Sequence, residues 1–319
     1  MTETATMLPP MIVDEVEVMA VELLTPTFVR IEFGGPALAE FGVDGPTWDQ
    51  RVKLIFPNAS GELAQFDRSG AENWYTAWTE LSDDERGHMR TYTVRRVIGR
   101  GEGTRLVIDF VLHLVPGASG PASRWAAAAR PGDKLVLVGP RLGSDFGGIE
   151  FQPGTARSLL LVGDETAVPA VSAILEQLPA NAVGTALLEV PLTADILHLI
   201  APPGVEVIWL PRNGQKHGEP LTAAVRDHFG LDDKAIDLAA VPDDVVDPDL
   251  WETPTWSSSG EEIVESRIVG HDLAGIYAWI AGESKVVTAL RRVLVKELEI
   301  DRSQVAFMGY WRQGVAMRS

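Results

Sequence analysis

The chain has 319 residues, enough for two domains with their own cores, and its 45% apolar and 23% charged content is ordinary for a water-soluble globular protein. A formal charge of -18 argues against nucleic acid and anionic membrane surfaces as partners, so any anionic ligand must meet a local basic cluster. Cysteine is absent, which excludes disulfides, thiolate-held iron–sulfur clusters and Cys-ligated zinc.

The start, MTETATMLPPMIVDEVEV, lacks a basic region before an apolar core, and no apolar run reaches membrane-spanning length. A cytoplasmic protein is expected. From there to about residue 150 the sequence reads as strands divided by turns: 16–33, 50–56, 90–98, 104–115 and 133–140 alternate and are rich in β-branched residues. Gly, Pro and Asp punctuate them, the pattern of a sandwich or small barrel. One helical insert, GPASRWAAAARPGD (120–133), interrupts the strands and stops at Pro131-Gly132.

A Gly/Pro-rich boundary near 145–157 divides a first domain, 1–150, from a second, 151–319. Beyond it strands and helices alternate. SLLLVG (158–163) is a continuous apolar run, as in a strand buried on both faces; PAVSAILEQL (169–178) is helical; TALLEV (185–190), VEVIWL (205–210) and YAWIAG (277–282) are further strands. In ESKVVTALRRVLVKEL (283–298), Val286, Leu290, Val293, Leu294 and Leu298 share one helical face. The alternation predicts an α/β domain with a mainly parallel sheet. Between these elements, 231–265 is acidic and Pro-containing: a lid, a partner surface or a partly disordered insertion.

Parallel sheets bind ligands beyond the carboxyl ends of their strands. Two such ends stand out, LLLVGDETAVPAV (159–171) and YAWIAGESK (277–285). In the first a helix opens near Pro169, whose free N–H groups favour a pyrophosphate, although G-x-G-x-x-G is missing and a plain strand–turn–helix has the same pattern. In the second, Glu283 is either a site residue or a complement to the helix dipole. An antiparallel domain ahead of two such ends suits hydride transfer, with a second organic cofactor on the β domain.

Six motifs in one order, RTYTVR (90–95), DFVLH (109–113), GPASRWA (120–126), GDETAVPA (163–170), YAWIAGE (277–283) and GYWRQG (309–314), span nearly the whole chain. In these the sequence resembles the siderophore-interacting protein family, FAD-dependent ferric-siderophore reductases of the ferredoxin-NADP reductase-like superfamily. The resemblance implies an N-terminal antiparallel Greek-key β-barrel for FAD and a C-terminal α/β domain for NADPH or NADH. By it, Arg90 pairs with the FAD pyrophosphate, Tyr92 stacks on the isoalloxazine and Thr93 hydrogen-bonds near N5. Strand alternation puts Tyr92 and Thr93 on opposite faces, so both reach one flavin only at a strand end or bulge. Arg95, Asp109 and Val111 belong to the same cofactor-binding motifs, and His113 contacts the ribityl or adenosine part. Gly120, Ala122 and Ser123 open the helix expected to hold the second phosphate, after a stretch (114–119) longer than the family's usual spelling. In the second domain the resemblance sets Asp164, Thr166 and Ala167 at the nicotinamide nucleotide. Ala281, Gly282 and Glu283 stand where relatives carry a Cys-Gly-Pro-like turn. Arg212, with Lys216, is placed to hold a 2′-phosphate and so favour NADPH over NADH, or else is a solvated loop cation; Tyr310 and Trp311 either cover the flavin or shape the acceptor site, or pack in a core. Lys53 and Arg130 resemble the basic residues that receive the ferric siderophore.

The implied activity is hydride transfer from NAD(P)H to FAD and single-electron transfer to siderophore-bound Fe(III). Reduction loosens the metal, because hard oxygen donors hold Fe(III) better than Fe(II). The negative charge leans toward a near-neutral ferric hydroxamate over a polyanionic catecholate. No protein metal site is expected, since H-E-x-x-H is absent and the six histidines are scattered. Rival readings are a flavin reductase serving a protein acceptor, a non-catalytic siderophore carrier, and the same fold turned to other flavin chemistry.

Overall fold

The structure is a computed structural model, and it describes residues 9–68, 73–113, 119–232, 236–238, 241, 251–254, 256–257 and 273–314. Two compact units emerge, one comprising residues 1–24 and 28–149, the other 25–27 and 150–318.

The first unit contains β1 (Met11–Leu23), β2 (Phe28–Gly34), β3 (Arg51–Phe56), α1 (Trp74–Thr79), α2 (Asp83–Arg86), β4 (His88–Thr93), β5 (Arg96–Ile98), β6 (Arg105–Val111), α3 (Pro121–Ala128) and β7 (Lys134–Pro140). Its strands form one antiparallel sheet in the order β4-β3-β7-β1-β2-β6-β5. The sheet curls on itself: past β4, Val94 N–H donates to the Gln50 carbonyl and Arg95 N–H to that of Val107 in β6. The result is a curled half-barrel, as expected of an antiparallel sheet managing its edges. Its core combines Val52, Leu54 and Phe56 of β3 with Phe33, Ile108, Phe110 and Leu137, and α3 adds Ala122 and Ala126. A second cluster on the other side of the sheet joins Ile55, Met89, Val136 and Val138 to Trp74 and Trp78 of α1.

The second unit contains β8 (Ser158–Gly163), α4 (Val168–Gln177), β9 (Val183–Val190), β10 (Gly204–Pro211), α5 (Glu219–His228), β11 (Trp251–Thr253), β12 (Trp256–Ser257), β13 (Ile276–Glu283), α6 (Ser284–Arg291) and β14 (Val305–Trp311). The strand order is β10-β9-β8-β13-β14-β11-β12. Five neighbours, β10 to β14 through β9, β8 and β13, run parallel, and β11 pairs antiparallel to β14, so the sheet is mixed. α5, α6 and the π-helical segment after α6 cover one face with Leu221, Val225, Val286, Leu290 and Leu294. Of the apolar stripe of 283–298, Val286, Leu290, Val293 and Leu294 are buried as the spacing implied and Leu298 is partly buried, with the end of the helix widened into a π-helix at Arg292–Glu297.

Chain order runs outward from β8 to β9 and β10, then returns to β13 and β14 on the other side. The switch point of this α/β sheet thus lies between β8 and β13, where the direction of winding reverses. Of the acidic stretch 231–265, most residues lie outside those described; within it β11 and β12 make a short hairpin on the sheet edge.

Candidate functional site

In the first unit β4 sorts its side chains by alternation. His88, Arg90 and Tyr92 lie opposite Phe56, Leu54 and Val52 of β3, while Met89, Thr91 and Thr93 lie opposite Ile55, Lys53 and Arg51. Tyr92 and Thr93 occupy opposite faces, and β4 ends at Thr93, the strand end at which one flat ligand can meet both. The Tyr92 ring sits 4.5 Å from Phe110 and 6.1 Å from Phe56. Burial raises its phenol pKa well above the ordinary value, against a smaller opposing pull from Arg90, so the ring stays neutral.

Arg90 is half-buried, and its Nη1 donates to the Met89 carbonyl at 2.6 Å. Among the described residues no carboxylate lies in ion-pair range of it. Burial lowers its pKa, partly offset by Tyr92, which marks a cation held in place without a counter-ion. The local field is positive: the His88 pKa is pushed down by burial and then by Arg90, Arg124 and Arg86.

α3 opens at Gly120 with Pro121 in its first turn, so the first-turn N–H groups of Ala122 and Ser123 point out of the helix start. The Ser123 hydroxyl is buried and has no hydrogen-bond partner among the described residues. The Ser123 hydroxyl, the first-turn N–H groups and the Arg90 guanidinium are each donors suited to an anion, and α3 lies against β4. Trp125, one turn on, stacks at 6.4 Å from Phe33 and edges Phe56 at 5.2 Å, which fixes α3 over the strands.

The remaining first-unit candidates are placed differently. Asp109 is buried and accepts both hydrogen bonds of an Arg30 fork, at 2.7 and 2.8 Å, with Arg95 Nε at 3.6 Å; its carboxylate and the buried Arg95 form an ion cluster inside the sheet. Val111 ends β6, and His113 is half-buried just beyond it. Lys53 pairs across β3 with Val138, near the far end of β7, and burial followed by Arg51 lowers its pKa. Arg130 is exposed and precedes β7, so four strand steps, about 13 Å, separate the level of Lys53 from the start of that strand. The structure does not bring these two cations together.

In the second unit the switch point is organised by Asp164. Its Oδ1 accepts from Thr166 N–H at 2.9 Å and the Thr166 hydroxyl at 2.5 Å, an Asx-turn closing the loop after β8. Its Oδ2 accepts from Glu283 N–H at 2.8 Å and Trp311 Nε1 at 2.9 Å. One buried carboxylate thus joins the ends of β8, β13 and β14. Two glycines make the close packing of this corner possible, Gly282 beside the carboxylate and Gly163 beside Ala167. A Cβ on Gly282, where φ is 147°, would sit 2.7 Å from Asp164 Oδ2, and one on Gly163 would meet Ala167 Cβ at 2.4 Å. Ala281, buried, lies between β8 and β14 through its pairing with Gly163 and Met308. Glu283 is the N-cap of α6: its Oε2 accepts from Lys285 N–H at 2.7 Å and Val286 N–H at 3.1 Å, which settles its place as a cap. Tyr310 and Trp311 diverge. Tyr310 stacks on Trp251 at 5.9 Å, whereas Trp311 turns to Asp164 and to His217, 5.2 Å away.

Arg212 is placed otherwise than a phosphate clamp requires. Its Nη1 and Nη2 bind the Glu165 carboxylate at 2.7 and 3.0 Å, and Nη1 also reaches Glu189 at 2.9 Å. The side chain is 12% exposed, and these contacts outweigh burial to hold it fully charged. Lys216 is 87% exposed.

Glu165, Glu189 and His217 were not singled out in the sequence. His217 Nε2 lies 3.2 Å from Asp164 Oδ2 and 3.9 Å from both Glu165 and Glu189. Burial opposes its protonation, yet Asp164, Glu165 and Glu189 together raise its pKa above 6.5. A raised folded-state pKa gives stability that is complete below the unfolded value of 6.5 and lost as pH rises through the folded value. Glu189, raised by burial, acts with the same sign in a lower window beginning near 4.5. Melting temperature is therefore expected to fall as pH rises above 6.5, and His217→Ala to flatten that fall; an unchanged slope in the variant would contradict the pairing. Asp164, Glu165 and His217 also lie close enough to share a cation, but Asp164 Oδ2 is filled by two donors and Arg212 stands alongside.

Comparison with known proteins matches two family profiles, one described as "Siderophore-interacting FAD-binding domain" over residues 17–144, the other as "Siderophore-interacting protein" over 156–314. The ferric vibriobactin reductase ViuB of Vibrio cholerae is 30% identical over 90% of this chain and 84% of its own length. The NADPH-dependent ferric-chelate reductase of Escherichia coli (strain K12) is 29% identical over 93% and 92%. A crystal structure of a siderophore utilization protein from T. fusca superimposes with a TM-score of 0.67 at 31% identity, over 97% of this chain and 96% of that one.

Proposed function

The chain belongs to the siderophore-interacting protein family, and from that membership we propose that it is a cytoplasmic, FAD-containing, NAD(P)H-dependent reductase of ferric siderophores. The FAD-binding first unit and the relatives named as ferric reductases support the class of reaction. The cytoplasm is where reduced nicotinamide coenzyme is available, and among the described residues no helix is long and apolar enough to cross a membrane.

The observations that carry the reading are Arg90, which has no carboxylate partner among the described residues, and the Ser123 hydroxyl at the start of α3, which has no hydrogen-bond partner among them, on two elements that contact each other in a chain of net charge -18. A half-buried cation and unsatisfied donors are costly unless a ligand answers them, and a pyrophosphate does so. Arg90, Ala122 N–H, Ser123 N–H and Ser123 Oγ would hold the FAD phosphates, with Tyr92 against the ring and Thr93 at its edge. When bound, FAD supplies the exchange of a hydride for two single electrons. Around it, Tyr92 presents a neutral face and Thr93 a hydroxyl beyond the strand end, while Arg90 fixes the phosphate end. In the second unit, Asp164 ties together the loop that opens α4: its side chain accepts from Thr166 N–H and Trp311 Nε1 and its carbonyl from Ala167 and Val168 N–H, which fixes the switch point where a nicotinamide coenzyme would bind.

The substrate is ferric iron in a siderophore, and the chain's charge favours a near-neutral ferric hydroxamate. Lys53 and Arg130, at separate places on the first unit, make two contacts with such a ligand rather than one dense basic pocket. Steady-state reduction of a ferric hydroxamate and a ferric tris-catecholate is expected to give kcat/KM about tenfold higher for the hydroxamate at low salt, converging as salt screens the charge. A catecholate preference would reverse this assignment and leave the reductase reading standing.

A further inference from the structure

Three segments follow β8, β9 and β10 at the carboxyl edge of the second unit's sheet. Residues 164–167 carry Asp164 and Glu165 and no base; 191–203 carry Asp195 and His198; 212–218 carry Arg212, Lys216 and His217. In doubly wound folds the adenosine ribose of the coenzyme lies at the ends of these strands. An arginine there accommodates a 2′-phosphate, and an acidic group there answers a 2′-hydroxyl.

Here the arginine is taken. Glu165 grips both Arg212 Nη atoms, and Glu189, buried near the end of β9, holds Nη1. Glu189 is itself fixed by Gly218 N–H at 2.8 Å and Leu221 N–H at 3.0 Å, the opening of α5. Glu189 is thus held in place from the opening of α5, and Arg212 is shared between it and Glu165. Counted as ions, Asp164, Glu165 and Glu189 against Arg212 leave a charge of -2, which becomes -1 when His217 is protonated. A phosphate monoester brings about -1.5 to -2 more near neutral pH.

We propose, resting on the reductase reading, that this edge selects NADH over NADPH, because Glu165 and Glu189 withhold Arg212 and present net negative charge to a 2′-phosphate. Lys216 does not replace the arginine: its amine is solvated, 3.9 Å from Glu219, and offers a screened point charge instead of a fork. The preference belongs to this chain's own carboxylates, whatever coenzyme a relative is named for.

The test is calorimetric binding of ADP-ribose and of its 2′-phosphorylated form to the purified chain, with steady-state KM for NADH and NADPH alongside. ADP-ribose is expected to bind at least tenfold more tightly, and KM for NADPH to exceed that for NADH by a similar factor. Glu165→Gln, checked for an intact melting transition, is expected to narrow the ratio at least threefold by freeing part of the guanidinium. Equal or tighter binding of the 2′-phosphorylated form would overturn the proposal alone. No binding of either ligand would overturn the coenzyme reading beneath it.

Discussion

Arg90→Ala is expected to weaken FAD binding by about 10- to 100-fold while leaving the first unit folded. A charge-assisted hydrogen bond contributes about 1.5–3 kcal/mol, and each ~1.4 kcal/mol is tenfold in affinity. Removal leaves no buried carboxylate stranded, because Arg90 has no ion-pair partner among the described residues, and its side chain donates to the Met89 carbonyl, an acceptor that water can serve instead. The variant therefore separates ligand from fold. Its melting temperature without FAD is expected to match the native value, or to rise slightly as an uncompensated cation disappears. Flavin fluorescence titration measures the loss, and riboflavin, which lacks the pyrophosphate, should bind both forms alike. Equal FAD affinity in the two proteins would remove Arg90 from the site. Arg90→Lys is expected to recover only part of the affinity, since an ammonium cannot reproduce the planar fork.

Asp164→Ala should have the largest effect on stability. The substitution strands Glu283 N–H, Thr166 N–H and Trp311 Nε1 together, each a donor at or near the buried switch point. An unsatisfied buried donor costs about 1–3 kcal/mol. With partial relaxation the total is expected to be about 4 kcal/mol, at the extreme of single substitutions. For a unit of this size that lowers the melting temperature by roughly 8–16 °C. Asp164→Asn discriminates the mechanism. Its amide keeps one oxygen, so it satisfies either Thr166 or the Glu283–Trp311 pair but not both, and about half the loss is expected. Thermal denaturation followed by near-ultraviolet circular dichroism, to which Trp311 is one of nine tryptophan contributors, reads both effects. An Asn variant as stable as the native protein would show that Asp164 does not tie the strand ends together.

How far the sequence disclosed these features depends on their range. β8 and β13 were legible because Leu159–Val162 and Tyr277–Ala281 are continuous apolar runs, the mark of strands covered on both faces. The strand-end condition on Tyr92 and Thr93 was legible because alternation is a local rule. β14 was not, since Val305–Trp311 mixes Gly with aromatics and its burial comes from lying between β13 and β11. α5 escaped notice because Glu219–His228 is short and polar on the whole, with Leu221 and Val225 as its buried apolar residues, and draws its start from Glu189, thirty residues upstream. The cage on Arg212 was invisible for the same reason. Glu165, Glu189 and Arg212 sit on three separate loops or strand ends, and only the parallel order β8-β9-β10 makes them neighbours. A loop arginine in a sequence has no visible partner, so it reads as free; its carboxylates are supplied by topology.

The most direct measurement is anaerobic titration of the FAD-loaded protein with NADH, followed by a ferric hydroxamate siderophore in the presence of a ferrous-specific chelator. The account predicts loss of the flavin absorbance with one equivalent of NADH, then its return as two ferrous ions are trapped per NADH consumed. A flavin that stays oxidised under excess NADH and NADPH, or that stays reduced when the ferric siderophore is added, would contradict it.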